Sequence, residues 1–428
     1  MPRVITAGGR AVTAVPVWLA LPGVGALLVS AVGYVQYQRH HPAGGLDLGI
    51  YRAAVEAFHV GRPVYDLTFA LGLPYTYPPV TLVLLTPLTW IEATSALHVM
   101  MVLSTVAVFL TVCCATGLMG YRGAPGRIGL AAAVTGLALW LEPVSSNLGL
   151  GQVNVFLMLL VVADLGLSDR NPLKGIGVGV AAACKLVPGI FVVYLLLTRR
   201  FRAAAVAALT FAAATRAGWV LAPGESTAFW LNALFLDPSR VTAATGPEFV
   251  ANQSLHGFAL RSTQGAAGAT VLWVLTALVV SVAGLALAVL AHRRGEEAVA
   301  VTVVAFTALL VSPVSWSHHW VWVVVLLPVL LDVVLRTRGL VRIVTAGLVP
   351  AWTAVLLMWP LESQAGEPIG IIWAARRQEQ PLHWLGENIY VATALGTMLL
   401  AARWLRRAHR AATGPSRPPR AGTFADAR

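Results

Sequence analysis

The sequence predicts an all-α protein that crosses a membrane many times, and three observations support this fold class. Hydrophobic residues make up 57% of the 428-residue chain, whereas charged residues make up only 11%. The mean hydropathy is +0.75, and apolar runs recur along the whole length. A soluble domain of this size cannot cover its surface with so few charges. The chain is therefore predicted to be a polytopic membrane protein.

Arginine clusters determine the predicted topology, because lysine and arginine concentrate in cytoplasmic loops. The clusters placed inside are Arg3 and Arg10; Arg122 and Arg127; Arg199, Arg200 and Arg202; Arg293 and Arg294; Arg336, Arg338 and Arg342; and the tail from Arg403. Both termini are then cytoplasmic. About twelve spans result, and they cover 13–35, 95–119, 128–141, 153–167, a short hairpin around CKLVP, 203–221, 269–291, 298–313, 319–335, 340–360 and 387–405.

Two long segments are predicted to lie outside the membrane. The first outer loop, 36–94, includes an apolar piece at 77–90 that is too short to cross and is predicted to lie in the outer interface. The second outer loop is 222–268. Residues 1–405 then form one transmembrane domain, and the Arg-, Pro- and Gly-rich residues 406–428 are predicted to be a disordered cytoplasmic tail.

Composition also excludes several kinds of site. The net charge of +12 fits cytoplasmic arginines near anionic lipid headgroups, and no basic stripe with interleaved aromatics predicts a nucleic-acid partner. Cys113, Cys114 and Cys184 all lie inside apolar runs, so neither a disulfide framework nor a zinc site is predicted. No HExxH motif is present, and we expect no metal and no cofactor.

Unusual polar residues gather at one predicted membrane level, the outer face. Five loops contribute them: Asp47, Arg52, Glu56 and His59; Asn147, Gln152 and Asn154; Lys185; Asn252, Gln253, His256 and Arg261; and Ser315, His318 and His319. Such convergence is typical of a site assembled from loops on a helical scaffold.

Each of these residues also has a structural interpretation. Asp47 can cap the helix that follows it. Lys185 can snorkel to the interface, although a cation in apolar sequence is costly unless it is paired or functional. His318 and His319 lie between tryptophans that are ordinary at membrane interfaces. Arg261 can anchor its loop at the same interface.

Six motifs occur in a recognisable order, and they are LDLGIYRAAVEAFHVGRPVYD, TYPPVTLVLLTPL, NLGLGQVNVFL, CKLVP, NQSLHGFALR and SPVSWSHHW. Over 45–335, this ordered set resembles the actinobacterial polyprenol-phosphate-mannose-dependent α-1,2-mannosyltransferases, glycosyltransferase family 87 with the GT-C fold. The resemblance implies inverting transfer of mannose from a polyprenyl monophosphate to a mannose 2-hydroxyl, on the outer side of the plasma membrane. It also implies membrane lipids as partners and a glycolipid as the acceptor, which is either a phosphatidylinositol mannoside or a lipomannan branch.

The resemblance and the chemistry together suggest roles for the polar residues. Asp47 is the expected general base, because GT-C enzymes place a carboxylate in the first outer loop for this purpose. The residues expected at the donor phosphate are Lys185, Arg261, His318 and His319. The residues expected at the sugar or acceptor are Gln152, Asn154, Asn252, Gln253 and Arg52.

Other functions remain open from the sequence. A transporter or flippase of a lipid-linked sugar would bind the same groups without reacting, although it would place polar residues near mid-membrane and on both faces. A GT-C transferase of another sugar is equally compatible with the motifs. A structural subunit of an envelope complex leaves Lys185 and the loop carboxylate unexplained.

Overall fold

Helices make up nearly all of the regular structure in the computed structural model, which describes residues 4–5, 11–12, 15–42, 44–362, 368–375 and 383–413. The helices are α1 (Ala20–His40), α2 (Leu46–His59), α3 (Val80–Leu84), α4 (Ala93–Leu118), α5 (Ala124–Ala138), α6 (Glu142–Leu150), α7 (Asn154–Gly166), α8 (Ile176–Cys184), α9 (Ile190–Leu197), α10 (Phe201–Leu221), α11 (Pro223–Ser226), α12 (Leu255–Ser262), α13 (Ala269–Arg293), α14 (Glu297–Val311), α15 (Val323–Arg336), α16 (Gly339–Leu356), α17 (Ile371–Ala375), α18 (His383–Glu387) and α19 (Ile389–Thr413). Two small antiparallel pairs accompany them, β1 (Val4–Ile5) with β2 (Ala11–Val12) and β3 (Trp359–Glu362) with β4 (Pro368–Ile369).

Six helical segments among the described residues are long and apolar enough to cross a membrane. They are Val17–His40, Ala93–Leu118, Phe201–Leu221, Ala269–Arg293, Ser317–Arg336 and Gly339–Leu356, and α6 with α7 adds a seventh if this pair, bent by 117°, is one span. The multi-pass prediction therefore holds, but the count of about twelve is not confirmed. Several predicted spans, such as α8 and α9, are helices much shorter than the roughly 20 residues that a bilayer requires.

The predicted tail begins inside a helix, because α19 continues past residue 406 to Thr413. Residues 414–428, as well as Arg3 and Arg10 of the first arginine cluster, lie outside the described part of the chain.

Burial distinguishes the central helices from the outer ones. The apolar window of Ser317–Arg336 is 78% buried, whereas that of Val17–His40 is 11% buried. The side chains of α14 are almost all buried as well. The outer helices therefore present apolar side chains outward, as a lipid-facing surface requires.

Several of the arginines that were predicted to be cytoplasmic come together at one end of the bundle. The Arg200 guanidinium lies 2.8 Å from the Glu297 carboxylate, and Arg336 lies 2.9 Å from Glu296. Arg294 donates to the carbonyl of Leu405 at 2.8 Å. These contacts join α10, α13, α14, α15 and α19 at this arginine-rich end.

Glycines allow α1 and α5 to pack closely. A Cβ at Gly23 would overlap the backbone carbonyl of Gly129, and a Cβ at Gly129 would overlap the carbonyl of Leu19. Small residues let helix backbones approach in this way where lipid supplies no hydrophobic force for association. Gly25, on the same helix, has nothing within 4 Å of its hypothetical Cβ.

We predict that Gly23→Ala destabilises the protein by about 1–3 kcal/mol, because the added methyl forces α1 away from α5. Gly25→Ala is the matched control and is expected to be neutral or slightly stabilising, since alanine is the better helix former. Thermal unfolding of both variants in detergent measures the difference. Equal melting temperatures would contradict the proposed close contact.

Candidate active site

A cavity of about 860 Å³ brings together loops and helix ends from distant parts of the sequence. Its polar lining includes Asp47, Glu142, Gln152, Lys185, Arg240, His318 and His319. Its apolar lining includes Leu71, Leu73, Phe229, Leu234 and Phe235. A cavity lined by both polar and apolar side chains suits an amphiphilic ligand.

Asp47 enters the cavity from the first turn of α2. The N-cap of this helix is Gly45, in the left-handed conformation with φ +57°, and no side chain caps the helix. The predicted capping role of Asp47 is therefore not seen. The amide of Gly45 donates to the carbonyl of Gly149 at 3.0 Å, which holds the start of α2 against α6.

A sharp break between α6 and α7 supplies the polar groups that face Asp47. Gly151 ends α6 with φ +70°, and a Cβ there would lie 2.6 Å from the Cβ of Leu48. Glycine is therefore required both for the backbone conformation and for the close approach to α2. The Asn147 side chain closes the break by donating to the carbonyl of Gln152 at 3.2 Å.

Gln152 connects Asp47 to two buried tyrosines. The hydroxyls of Tyr51 and Tyr77 each lie 2.9 Å from its Oε1. Because the amide oxygen is engaged by phenols, the amide nitrogen is the group that donates to the Asp47 carboxylate. Burial raises the pKa of Asp47 above its ordinary value, while the Gln152 hydrogen bond and the nearby Lys185 charge act in the opposite direction.

Lys185 lies in the extended link between α8 and α9. Its ammonium donates to Asn154 Oδ1 at 2.9 Å and lies 3.1 Å from His319 Nε2. It also lies 5.4 Å from the centre of the Tyr77 ring, within cation–π range. Burial lowers the pKa of Lys185 to about 8, against the favourable charge of Asp47. The ammonium therefore has partners inside the protein.

The two predicted histidines stand side by side on the cavity wall. Their ring centroids are 4.7 Å apart, with the rings nearly perpendicular. His319 approaches Lys185, whereas His318 Nε2 is buried without a hydrogen-bond partner among the described residues. Most buried polar atoms have a hydrogen-bond partner, so this nitrogen is an exception within the protein.

Some predicted site residues lie outside the cavity lining, and these are Arg52, Asn154, Asn252, Gln253 and Arg261. Asn154 still belongs to the site, because it contacts Lys185 and donates to the His318 carbonyl at 3.3 Å. Arg52 instead donates to the carbonyl of Ile91 at 2.8 Å and to that of Leu88. It therefore ties α2 to the segment before α4.

The other three residues stabilise the loops around the cavity. Arg261 donates to Asn388 Oδ1 at 2.7 Å and to two backbone carbonyls at 3.1 Å, so its guanidinium is occupied. The Asn252 side chain donates to the Pro247 carbonyl at 2.8 Å. The Gln253 side chain donates to the Glu387 carbonyl at 2.6 Å. In the structure these three side chains anchor the loops and do not line the cavity, and their expected contacts with phosphate or sugar stay predictions.

Glu142 is a lining residue that sequence reasoning missed. Its carboxylate accepts from the hydroxyls of Ser317 at 2.8 Å and Tyr390 at 2.7 Å. Ser146 and the Trp373 indole donate to it at 2.9 and 3.2 Å. Because Ser317 directly precedes the histidines, Glu142 fixes their backbone against α6 and α19. The available signal was a carboxylate at the start of the predicted loop EPVSSNLGLGQVN, in a chain with few acids.

Comparison with known proteins identifies the family of the chain. Residues 75–313 match the model of glycosyltransferase family 87. A polyprenol-phosphate-mannose-dependent alpha-(1-2)-phosphatidylinositol mannoside mannosyltransferase of Mycobacterium tuberculosis is 36% identical over 381 residues, which cover 83% of this chain and 86% of that protein. Its counterpart in Mycolicibacterium smegmatis is 34% identical, over 73% of this chain and 76% of that protein.

A second type of relative aligns over even more of the chain. A polyprenol-phosphate-mannose-dependent alpha-(1-2)-phosphatidylinositol pentamannoside mannosyltransferase of M. tuberculosis is 32% identical, over 94% of this chain and 92% of that protein. No solved structure matches. Since the family model covers more than half of the residues and the relatives align over most of the length, the chain belongs to glycosyltransferase family 87.

Proposed function

We propose that the protein is a membrane mannosyltransferase that moves mannose from polyprenyl-phosphate-mannose to a mannose 2-hydroxyl of a phosphatidylinositol mannoside, forming an α-1,2 linkage with inversion. The observation that carries this proposal is the presence of the Asp47 carboxylate and the Lys185 ammonium on the lining of one cavity with polar and apolar walls, near enough for each charge to affect the pKa of the other group. The activities for which the relatives are named support the identities of donor and acceptor.

Asp47 acts as the general base. It takes the proton of the acceptor hydroxyl as the hydroxyl oxygen bonds to the anomeric carbon of mannose. Its raised pKa makes it a stronger base than an exposed aspartate, and Gln152 holds the carboxylate in place. Each turnover therefore forms one glycosidic bond and leaves one proton on Asp47, which must then pass to solvent.

Lys185 stabilises the leaving group. As the bond between the anomeric carbon and the phosphate oxygen breaks, negative charge grows on the departing polyprenyl phosphate. A preorganised ammonium in a site of low dielectric stabilises that charge more in the transition state than in the bound donor. His318 and His319 line the same wall and can hydrogen-bond the phosphate.

We also propose the orientation in the membrane. The cavity lies on the outer side of the plasma membrane, with both termini cytoplasmic and about twelve passes of the chain. The support is that the ion pairs of Arg200 and Arg336 gather at the arginine-rich end, where the positive-inside rule predicts cytoplasm. Residues 1–405 form the single catalytic domain in this proposal.

Purified protein tests the function directly. It is incubated with polyprenyl-phosphate-mannose and one acceptor at a time, either a phosphatidylinositol mannoside or lipomannan. The linkage of the product is then determined. An α-1,2-mannosyl product on the phosphatidylinositol mannoside is expected. Product on lipomannan alone would change the acceptor. Movement of the donor across vesicle membranes without any new linkage would favour a flippase.

We predict that Asp47→Asn lowers kcat by roughly 10²–10⁴-fold, because the amide cannot accept the hydroxyl proton. The matched control is Asp66→Asn, an exposed carboxylate outside the cavity lining, which should retain activity. Both variants should elute from size-exclusion columns like the unmodified protein. Near-normal turnover by folded Asp47→Asn would rule out the general-base role.

We predict that kcat/KM falls on both sides of neutral pH. Asp47 must be unprotonated, so activity is lost as pH falls through its raised pKa. Lys185 must be protonated, so activity is lost as pH rises through about 8. Because arginine keeps its charge, Lys185→Arg should shift the alkaline loss upward by roughly one pH unit or more, even at a lower maximal rate. An alkaline limb that does not move would assign it to another group.

A further inference from the structure

Arg240 is a second cation on the cavity lining, and the proposed chemistry gives it no role. It ends a short 3₁₀ turn, Pro238–Arg240, in the long segment between α11 and α12. Asp237 caps this turn by accepting from the amide of Ser239 at 3.0 Å. The turn therefore holds Arg240 at a defined place.

The guanidinium is anchored on one side only. One Nη donates to the carbonyl of Tyr65 at 2.8 Å and is 3.5 Å from that of Tyr75. Among the described residues, neither Nε nor the second Nη of Arg240 has a hydrogen-bond partner, and no carboxylate forms an ion pair with Arg240. A half-buried, permanently charged guanidinium with free N–H groups favours an anion that accepts hydrogen bonds from them, as phosphate oxygens do.

Aromatic rings line the cavity together with Tyr65, whose carbonyl accepts from Arg240. The Tyr65 ring lies 5.5 Å from the Phe229 ring, which lies 6.1 Å from that of Phe235. A cation beside an apolar wall matches a phosphate that is covalently attached to a lipid. A free polar anion would gain nothing from these rings.

Arg240 and Lys185 occupy different positions on the cavity lining, and they share no hydrogen-bond partner among the described residues. Arg240 contacts the backbone carbonyl of Tyr65, whereas Lys185 contacts Asn154 and His319. The cavity presents two cationic positions and can hold two anions.

We propose that Arg240 binds the phosphodiester of the acceptor lipid, while Lys185 faces the donor phosphate. This inference rests on the proposed function, in which each substrate carries one lipid-linked phosphate. Asp47 lies close enough to Lys185 to influence its pKa, so the reacting donor belongs at Lys185. Arg240 is then a specificity residue that selects acceptors with an anionic lipid anchor.

The test compares an acceptor with a phosphate to one without it. Purified Arg240→Gln and Arg240→Lys are assayed with a phosphatidylinositol mannoside and with octyl α-mannoside. Arg240→Gln should raise KM for the phosphatidylinositol mannoside roughly tenfold, with little change in kcat. Its KM for octyl α-mannoside and for the donor should stay unchanged. Arg240→Lys should fall between, since it keeps the charge without the forked geometry.

Arg62→Gln is the matched control, because Arg62 is exposed and does not line the cavity. It should leave every constant unchanged. Equal losses on both acceptors in Arg240→Gln would mean that Arg240 only supports the loop, and a raised KM for the donor alone would assign it to the donor phosphate. Either result overturns the proposal.

Binding separates this inference from the proposed function. Titration of phosphatidylinositol mannoside into the protein, followed by tryptophan fluorescence, needs no turnover. Arg240→Gln should weaken this binding roughly tenfold and leave that of octyl α-mannoside unchanged. If the unmodified protein transfers mannose to neither acceptor, the proposed function fails, and unchanged phosphatidylinositol mannoside binding in Arg240→Gln would overturn the Arg240 assignment independently.

Discussion

The break between α6 and α7 is the constraint on which the site depends. The left-handed backbone at Gly151 turns the chain by 117° and lets it pack on Leu48, one residue after Asp47. The same turn directs Gln152 toward the carboxylate and the tyrosines, and it places Asn154 beside Lys185. A continuous helix would carry these side chains at fixed spacing along one rod, and it would not reach α2 and the link between α8 and α9 together. The irregular backbone is satisfied internally by Asn147, as apolar surroundings require.

Burial then gives the two central charges opposite tendencies. Desolvation favours the neutral form of both Asp47 and Lys185. The Gln152 hydrogen bond and then the Lys185 charge favour the Asp47 carboxylate, whereas the Asp47 charge favours the Lys185 ammonium. A substrate that changes the local charge when it binds therefore changes the protonation equilibria of both groups. Glu142 differs, because four hydrogen-bond donors contact its carboxylate. Its role is structural, since these contacts hold the segment that carries the histidines.

The motif order was enough to predict that Asp47, Gln152, Lys185, His318 and His319 share one site, because all five line the cavity. It was not enough for Arg261 or Gln253. A polar residue near an interface can satisfy either a ligand or a backbone carbonyl, and only the folded loops show that these two serve Asn388 and Glu387. Helix positions were likewise predictable from apolar runs. Helix lengths were not, since the predicted loop between the spans 128–141 and 153–167 contains helix α6, and the helices on either side of CKLVP, α8 and α9, have only 9 and 8 residues.

The mixed lining of the cavity has a consequence for how such an enzyme must be studied. Both proposed substrates are amphiphiles, and their hydrocarbon chains stay in the bilayer or micelle while their headgroups enter the cavity. Leu71 and Phe235 provide apolar surface on the cavity lining for that entry. The enzyme and its substrates then meet by diffusion within the bilayer or micelle, not through bulk water. The relevant concentration is the mole fraction of substrate in the amphiphile phase, so added detergent slows turnover by surface dilution even when the bulk molarity of both substrates is constant.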